Sequence, residues 1–383
     1  MSETSRTGFD AADSRFMARA LQLAWRGRYT AHPNPRVGCV LVKDGKIIGE
    51  GWHQRTGEAH AETIALAAAG STAKGASAYV TLEPCSHHGK TPPCSDALIA
   101  AGVSEVVIAM QDPFPKVAGS GVAALQKAGV AVRCGLMAAE AEKLNEGFIS
   151  RVTRGRPFLR LKIAASLDGC TAMADGQSQW ITGAEARADV QRFRAASGAV
   201  ITSVNTVMAD DPSLTVRDKS LTDLQPLRVI LDSRLRMPVT ACMLTLPGRT
   251  AIYCIDDNRR QAVEAAGATV HKCAANDGRV DLTEVLRDLG KLQINDVLVE
   301  AGRHLAGSLL SAGLIDELVI YQAPHLMGSE TRGMFETPDW LKLEQRIDLD
   351  IIDVRKFGRD TRIIARTVAQ DVARSIARPV RIN

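Results

Sequence analysis

The chain has 383 residues, 45% hydrophobic and 23% charged, with 47 Lys and Arg against 43 Asp and Glu for a formal charge of +4. At roughly 150 residues per domain this length predicts two or three domains, and the average composition excludes wholesale disorder. A charge so near neutral does not argue for a nucleic-acid partner, and no apolar run is long enough for a transmembrane helix.

The opening MSETSRTGFDAADSR contains acids and lacks an apolar h-region, so it does not read as a signal peptide. Asp13 is the expected cap of a helix through Phe16, Ala20, Leu23 and Ala24. Val37 to Val42 and Lys46 to Glu50 flank Lys43-Asp44-Gly45, which predicts a hairpin. An alanine-rich helix is expected over Ala61 to Ala69 and a strand over Ala78 to Leu82. A helix over Ser95 to Ala101 and a strand over Glu105 to Met110 follow. This alternation predicts an α/β/α sandwich. The polar stretch RVTRGRP marks a boundary near residue 155.

Beyond it a second α/β domain, 156–370, is expected. Its strands are Phe158 to Ala164, Ala199 to Ser203, Leu227 to Leu231, Ala251 to Ile255, Asp296 to Val299 and Glu317 to Tyr321. Its helices are Ala184 to Ala195, Leu282 to Leu292 and Ala306 to Ala312. The tail 371–383, DVARSIARPVRIN, reads as flexible. The eight cysteines show no small-scaffold spacing. They are expected as reduced thiols or metal ligands in a cytoplasmic protein.

In the first domain His60-Ala61-Glu62 precedes Pro84-Cys85 and, nine positions later, Cys94. One imidazole and two thiolates make a three-ligand zinc set with a position left for water, the mark of a catalytic site. Glu62 would shuttle the proton to a leaving amine. His60 is expected in the first turn of its helix, and Cys94, after Pro92-Pro93, at a helix start that stabilises a thiolate. An H-x-E pair alone is weak. Joined to a strand ending T-L-E-P-C and a second cysteine at a helix start, it resembles the zinc deaminases.

The eight residues SHHGKTPP between the cysteines exceed the usual two and bring His87, His88, Lys90 and Thr91 near the metal. His87 or His88 reads as a further ligand or as a substrate contact, and the complete three-ligand set favours contact. Asn34, in Pro33-Asn34-Pro35, reads equally as turn chemistry or as a hydrogen-bonding group for substrate.

The second domain has neither a G-x-G-x-x-G nor a Walker loop. The run Val297 to Ser308 leads a strand through glycines into a helix whose amides suit a phosphate, although such glycines also serve tight packing. Arg194 and Arg217 are candidate phosphate grips against the alternative of solvated surface charges.

Taken together, H-A-E, P-C-S-H-H-G-K-T-P-P-C, K-I-A-A-S-L-D-G, S-Q-W-I-T and A-D-D-P-S-L-T-V-R resemble the bifunctional deaminase–reductase family of bacterial riboflavin biosynthesis, from about Phe9 to Ala369. The resemblance implies a cytidine-deaminase-like sandwich followed by a dihydrofolate-reductase-like α/β domain. It implies zinc on His60, Cys85 and Cys94, Glu62 as proton donor, and pyrimidine contacts from Asn34 and His87. It implies NADPH contacts from Ala164, Trp180, Thr206, Asp210, Ser233 and the run Gly302, Arg303, His304, Leu305, Ala306, Gly307 and Ser308. Substrate contacts fall to Lys162, Ser178, Arg194, Leu214, Arg217 and Glu300. Lys90 stands where the family commonly has arginine, which puts any bidentate contact there in doubt.

The implied partners are pyrimidine ribotides, with no nucleic acid and no membrane, and the chain is expected as a homo-oligomer, a dimer or tetramer. Two competing readings are a nucleic-acid deaminase with a binding module and a deaminase whose second half is only structural. The first lacks a basic aromatic stripe. The second is disfavoured by the intact arginines and glycine loop.

Overall fold

The computed structural model describes residues 8–86, 93–114, 118–338 and 340–368. The chain divides into two compact units. One is formed by the residues up to Arg156 with Gln293–Asn295, the other by Pro157–Leu292 and the residues from Asp296 onward.

The first unit runs α1 (Ala11–Arg26), β1 (Gly38–Lys43), β2 (Lys46–Trp52), α2 (Ala61–Ala69), β3 (Ser77–Val80), α3 (Cys94–Ala100), β4 (Glu105–Ile108), α4 (Ser120–Lys127), β5 (Ala131–Cys134), α5 (Ala138–Leu144) and α6 (Glu146–Arg154). The sheet order is β2-β1-β3-β4-β5, antiparallel through β3 and parallel beyond it. Successive strand residues point to opposite faces, and here both faces are covered. Cys39, Leu41, Val80, Val106 and Ile108 pack against Ala61, Ala65 and Leu98 on one side. Val40, Val42, Tyr79 and Val107 pack against Phe16, Met17, Ala20 and Leu23 on the other. The strands therefore read as continuous apolar runs rather than alternating ones. Burying a side chain such as Met17 or Leu41 stabilises this arrangement by about 2 kcal/mol.

The cap of α1 is Asp10, not Asp13. The Asp10 carboxylate accepts the Asp13 amide at 2.8 Å, and Asp13 returns the bond to the Asp10 amide at 3.1 Å. Asp13 thus completes a capping box. Its buried carboxylate also accepts from Tyr79 Oη at 2.7 Å and Arg133 at 2.8 Å, fastening α1 to β3 and β5. The Arg133 hydrogen bond is the main reason the Asp13 carboxyl is held down to about 2.

The hairpin forms with a two-residue turn, Asp44 and Gly45, both at positive φ, as the Asp-Gly pair requires. Its second strand seats α2. A Cβ at Gly51 would lie 2.2 Å from the Ala61 carbonyl oxygen, and one at Gly49 would lie 2.3 Å from that of Ala65. Any larger residue there pushes the helix off the sheet.

The second unit runs β6 (Phe158–Ser166), β7 (Cys170–Ala172), α7 (Ala184–Ala196), β8 (Ala199–Ser203), α8 (Val204–Asp210), β9 (Leu227–Leu231), β10 (Thr250–Cys254), α9 (Arg260–Ala265), β11 (Ala268–Lys272), β12 (Ala275–Asn276), β13 (Arg279–Val280), α10 (Leu282–Lys291), β14 (Asp296–Glu300), α11 (Arg303–Ser311), β15 (Glu317–Ala323), β16 (Arg332–Gly333), β17 (Leu349–Phe357) and β18 (Asp360–Thr367). Its nine-stranded sheet has the order β11-β10-β9-β8-β14-β6-β15-β18-β17. The strands from β11 to β15 are mutually parallel, and β18 and β17 are antiparallel additions at one end. Two short ladders, β7 with β16 and β12 with β13, lie outside it.

In this unit β7, α8, α9, β11, β12, β13, β16 and the β17–β18 hairpin are not among the expected elements. The apolar residues of β17 are interleaved with charges and exposed, so it carries no burial pattern to read. The 371–383 tail lies outside the described residues.

Candidate active sites

His60 sits immediately before α2, as its N-cap residue rather than inside the first turn, and Glu62 follows in that turn. Cys85 lies just past the β3 segment, and Cys94 is the first residue of α3. The ligand atoms of His60, Cys85 and Cys94 lie within 4.8 Å of one another. His60 Nδ1 faces both sulfurs, 3.2 Å from Cys94 Sγ and 3.6 Å from Cys85 Sγ. Bonds of about 2.3 Å to sulfur and 2.0 Å to nitrogen, at a tetrahedral angle, set ligand atoms about 3.5 Å apart. The donor set and its spacing fit zinc.

The electrostatics agree with that chemistry. The Cys85 thiol is drawn well down from its ordinary value, first by its hydrogen bond with Cys94 and then by His60, while the same bond raises Cys94. The Cys94 amide also donates to Cys85 Sγ at 3.4 Å. Glu62 is 3% exposed, and burial pushes its carboxyl up to about 7. A carboxyl so tuned both gives and takes a proton near neutrality.

Asn34 lies at the rim of this cluster. Its side-chain nitrogen is 3.0 Å from His53 Nε2, and the His53 ring stands edge-on to His60 with centroids 5.4 Å apart. The sequence reading gave His53 no role. It follows β2 directly and is 3% exposed, a polar residue buried where a hairpin ends.

Glu83 was also passed over, although T-L-E-P-C contains it. It is buried and accepts four backbone amides, from Asp112, Gly119, Gly121 and Val122, at 2.9–3.2 Å. With the Ser86–Ser120 hydroxyl contact at 2.6 Å, it ties the chain on both sides of Cys85 to the start of α4. His87, His88, Lys90 and Thr91 lie outside the described residues.

In the second unit the candidates gather at the carboxyl ends of the parallel strands, where open α/β sheets bind ligands. Lys162 and Ala164 point to one face of β6, and Lys162 is the register partner of Glu300 at the end of β14. Burial pulls the Lys162 amine down, opposed by the Glu300 charge. Glu300 is gripped by Arg194 through both oxygens, at 2.6 and 3.1 Å, and Arg194 also donates to the Thr215 carbonyl at 3.0 Å. Arg194 thus has three hydrogen bonds within the protein. Arg217 is exposed, and its charge helps hold the Glu300 carboxyl down. Leu214 is 2% exposed with its side chain in the core and a positive φ, so only its backbone is available to a ligand.

Ser178 is half-buried. Trp180 is 69% exposed with the Arg187 guanidinium 4.5 Å above its ring, and Gln179 donates to Asp210 at 3.2 Å. Thr206 lies on α8, its hydroxyl 3.3 Å from Ser203 at the end of β8. Ser233 Oγ, past β9, accepts the Val280 amide at 3.3 Å.

The stretch 302–308 divides in two. Gly302 is the N-cap of α11, and a Cβ there would meet no atom within 4 Å, so the helix start faces open space. Arg303 and His304 pair with Glu336, at 3.0 and 2.7 Å. Leu305, Ala306 and Gly307 are buried in the helix and Ser308 is half-buried. A Cβ on Gly307 would fall 1.8 Å from the Glu336 carbonyl oxygen, so that glycine serves packing. No helix among the described residues is long and apolar enough to cross a membrane.

Residues 10–110 match the cytidine and deoxycytidylate deaminase zinc-binding region, and 157–363 match the RibD C-terminal domain. The riboflavin biosynthesis protein RibD of Escherichia coli is 52% identical over 359 residues, 91% of this chain and 97% of that protein. Its counterpart in Haemophilus influenzae is 47% identical over 93% of this chain and 97% of its own length. Among solved structures, Acinetobacter baumannii RibD superposes with a TM-score of 0.88 at 46% identity, covering 93% of this chain and 99% of that one. A Thermotoga maritima diaminohydroxyphosphoribosylaminopyrimidine deaminase / 5-amino-6-(5-phosphoribosylamino)uracil reductase gives 0.82 at 32% identity, with the same coverage. A deaminase-type zinc region and a RibD C-terminal domain in one chain, matched along nearly its whole length, place this protein in the RibD family of bifunctional deaminase–reductases of riboflavin biosynthesis.

Proposed function

We propose that residues 1–155 deaminate 2,5-diamino-6-(5-phosphoribosylamino)pyrimidin-4-one to 5-amino-6-(5-phosphoribosylamino)uracil. Residues 156–370 would then reduce that product with NADPH to 5-amino-6-(5-phosphoribitylamino)uracil. The observation that carries this reading is Glu62, buried with a carboxyl near 7, two residues from a His60, Cys85, Cys94 set spaced for zinc. Zinc, held by those three residues, would supply Lewis acidity that makes water nucleophilic near neutral pH.

Glu62 takes a proton from the attacking water and returns one to the departing amine, so that water replaces the 2-amino group and ammonia leaves. Asn34 and His53 orient the pyrimidine, and His87 is assigned to the same task from the resemblance.

In the second unit NADPH would supply the hydride, and the protein positions donor and acceptor face to face. The free amides at the start of α11 receive a cofactor phosphate, beside Gly302, Arg303 and His304. Ala164, Trp180, Thr206, Asp210 and Ser233 border the same end of the sheet. Lys162 and Glu300 face the ribose, with Arg194 fixing the Glu300 carboxylate. Arg217 is the guanidinium left to meet the substrate phosphate, and Ser178 and the Leu214 backbone complete that side. A cytoplasmic setting supplies NADPH and keeps the cysteines reduced.

The test follows NADPH oxidation with either ribotide, with and without a zinc chelator. Chelation is expected to block oxidation with the diaminopyrimidine ribotide and spare it with the aminouracil ribotide. If the aminouracil ribotide is never reduced, the second assignment fails. Oxidation unaffected by confirmed zinc removal would overturn the first.

A further inference from the structure

Two helices of the first unit start without a capping side chain. Pro93 precedes α3 and Gly119 precedes α4, and neither offers a side-chain oxygen to the first amides. Those amides still need acceptors, because the first turn of a helix supplies none of its own. Both helices find them in one short stretch, Glu83-Pro84-Cys85. Glu83 Oε1 accepts the Gly121 and Val122 amides of α4 at 2.9 and 3.1 Å, and Oε2 accepts those of Gly119 and Asp112 at 3.0 and 3.2 Å. For α3, the Cys85 carbonyl accepts the Ser95 amide at 3.1 Å and the Ser95 hydroxyl at 3.2 Å. The Cys94 amide reaches Cys85 Sγ at 3.4 Å.

Cys85 needs this support more than its fellow ligands do. His60 is the N-cap of α2 and Cys94 opens α3, whereas Cys85 belongs to no helix or strand. The fit against α4 is close. Gly121 is buried, and a Cβ there would lie 2.1 Å from the Pro84 carbonyl oxygen and 3.2 Å from Glu83 Oε1. Glu83 is 3% exposed, and a carboxylate so buried depends on its hydrogen bonds. It also suits the positive end of a helix. Its four bonds fix the backbone that leads into Cys85.

We propose that Glu83 is a positioning residue for zinc, a role that rests on the reading of His60, Cys85 and Cys94 as the ligands. By docking on the start of α4, Glu83 sets where Cys85 stands relative to the other two. Groups that support metal ligands typically carry about 10- to 100-fold in metal affinity. Gln at position 83 keeps the length of the side chain but replaces one acceptor with an NH2 donor, which then faces two of the four amides.

Release of zinc from the full chain to a chromogenic chelator, well below the unfolding temperature, tests this. Glu83→Gln is expected to release zinc about tenfold faster than wild type. Gly121→Ala should do the same by pressing α4 away from Pro84, although alanine is the better helix former. Met17→Ala opens a cavity on the other face of the sheet and controls for stability. It should lower the unfolding temperature and leave the release rate at the wild-type value. Deamination kcat should fall in Glu83→Gln, with the ribotide KM and reduction of the aminouracil ribotide unchanged. Release at the wild-type rate in Glu83→Gln would overturn the proposal. Equal acceleration in Met17→Ala would do so too, tracing the effect to lost stability. Fast release in Glu83→Gln with a wild-type rate in Gly121→Ala would overturn the route through α4. Should Glu83→Gln fail to fold, Gly121→Ala and Met17→Ala decide by themselves. A wild type that takes up no zinc would overturn the zinc reading and the role of Glu83 with it. Zinc uptake with unaltered release in the variants would leave that reading standing and remove only Glu83.

Discussion

The two units assemble their candidate sites in opposite ways. In the first, every zinc-site residue falls between His60 and Cys94, at the starts of two helices and in the loop after one strand. Glu62 and Cys94 are buried and His60 and Cys85 half-buried, and burial sets the chemistry most plainly at the carboxyl of Glu62. In the second, the residues span Lys162 to Ser308 and come from four strand ends and the loops after them. Many of them, Trp180, Asp210, Arg217 and His304 among them, remain exposed. A proton-transfer site needs its groups fixed and desolvated beforehand, whereas a hydride-transfer site needs two flat molecules held together. The lesson is that a compact site advertises its residues in sequence and a distributed one does not.

Four perturbations sharpen that contrast. Glu62→Gln is expected to have the largest effect. It should lower deamination by about 10²–10⁴-fold while zinc content by elemental analysis and reduction of the aminouracil ribotide stay as they were. A comparable loss of reduction would show that the two activities are not separable.

Glu300→Gln should act in the other direction. It removes the charge that Arg194 and Lys162 face, and reductase kcat/KM is expected to drop by about tenfold or more. Ammonia release from the diaminopyrimidine ribotide should not change. Unaltered reduction would remove Glu300 from the site.

Gly51→Ala probes the seat of α2, where the added Cβ meets the Ala61 carbonyl oxygen at 2.2 Å. The expected cost is about 1–3 kcal/mol, read as a lower unfolding temperature. Zinc affinity, measured by chelator competition, should fall with it because His60 caps the displaced helix. A variant as stable as wild type would mean that the sheet yields at no cost.

The smallest effect concerns acid stability. The Asp13 carboxyl is held at about 2, below its ordinary 3.8. A group depressed on folding contributes stability above its unfolded value and loses it as pH falls through the folded one. Its contribution, about 2.5 kcal/mol at most, should vanish between pH 4 and 2. In Asp13→Asn that part of the pH dependence should be absent from urea titrations, and a slope equal to wild type would assign it to other groups.

Much of the fold was legible. The Ala61–Ala69 helix, the Asp-Gly hairpin and the Ala199–Ser203 strand form where the periodicity and turn residues put them. Each is specified by neighbours in the chain. What was missed depended on distant partners. Asp13 reads as a helix cap until Tyr79 and Arg133 are seen on its carboxylate. His53 and Glu83 carry no local signal of a site. Only the approach of Asn34 to the one, and of the α4 start to the other, reveals them. Arg194 and Arg217 look alike in sequence, yet one is bound to Glu300 and the other is exposed.

The sequence by itself determined the ligand types, their order and the helices and strands that carry them, because those follow from short-range propensity, capping and spacing. It determined the family as well, through motifs spread over both halves. Only the tertiary structure decided the burial of Glu62 and the pairing of Arg194 with Glu300. Burial, pairing and exposure are properties of what lies across space from a residue, and in this chain those neighbours are often a hundred positions away.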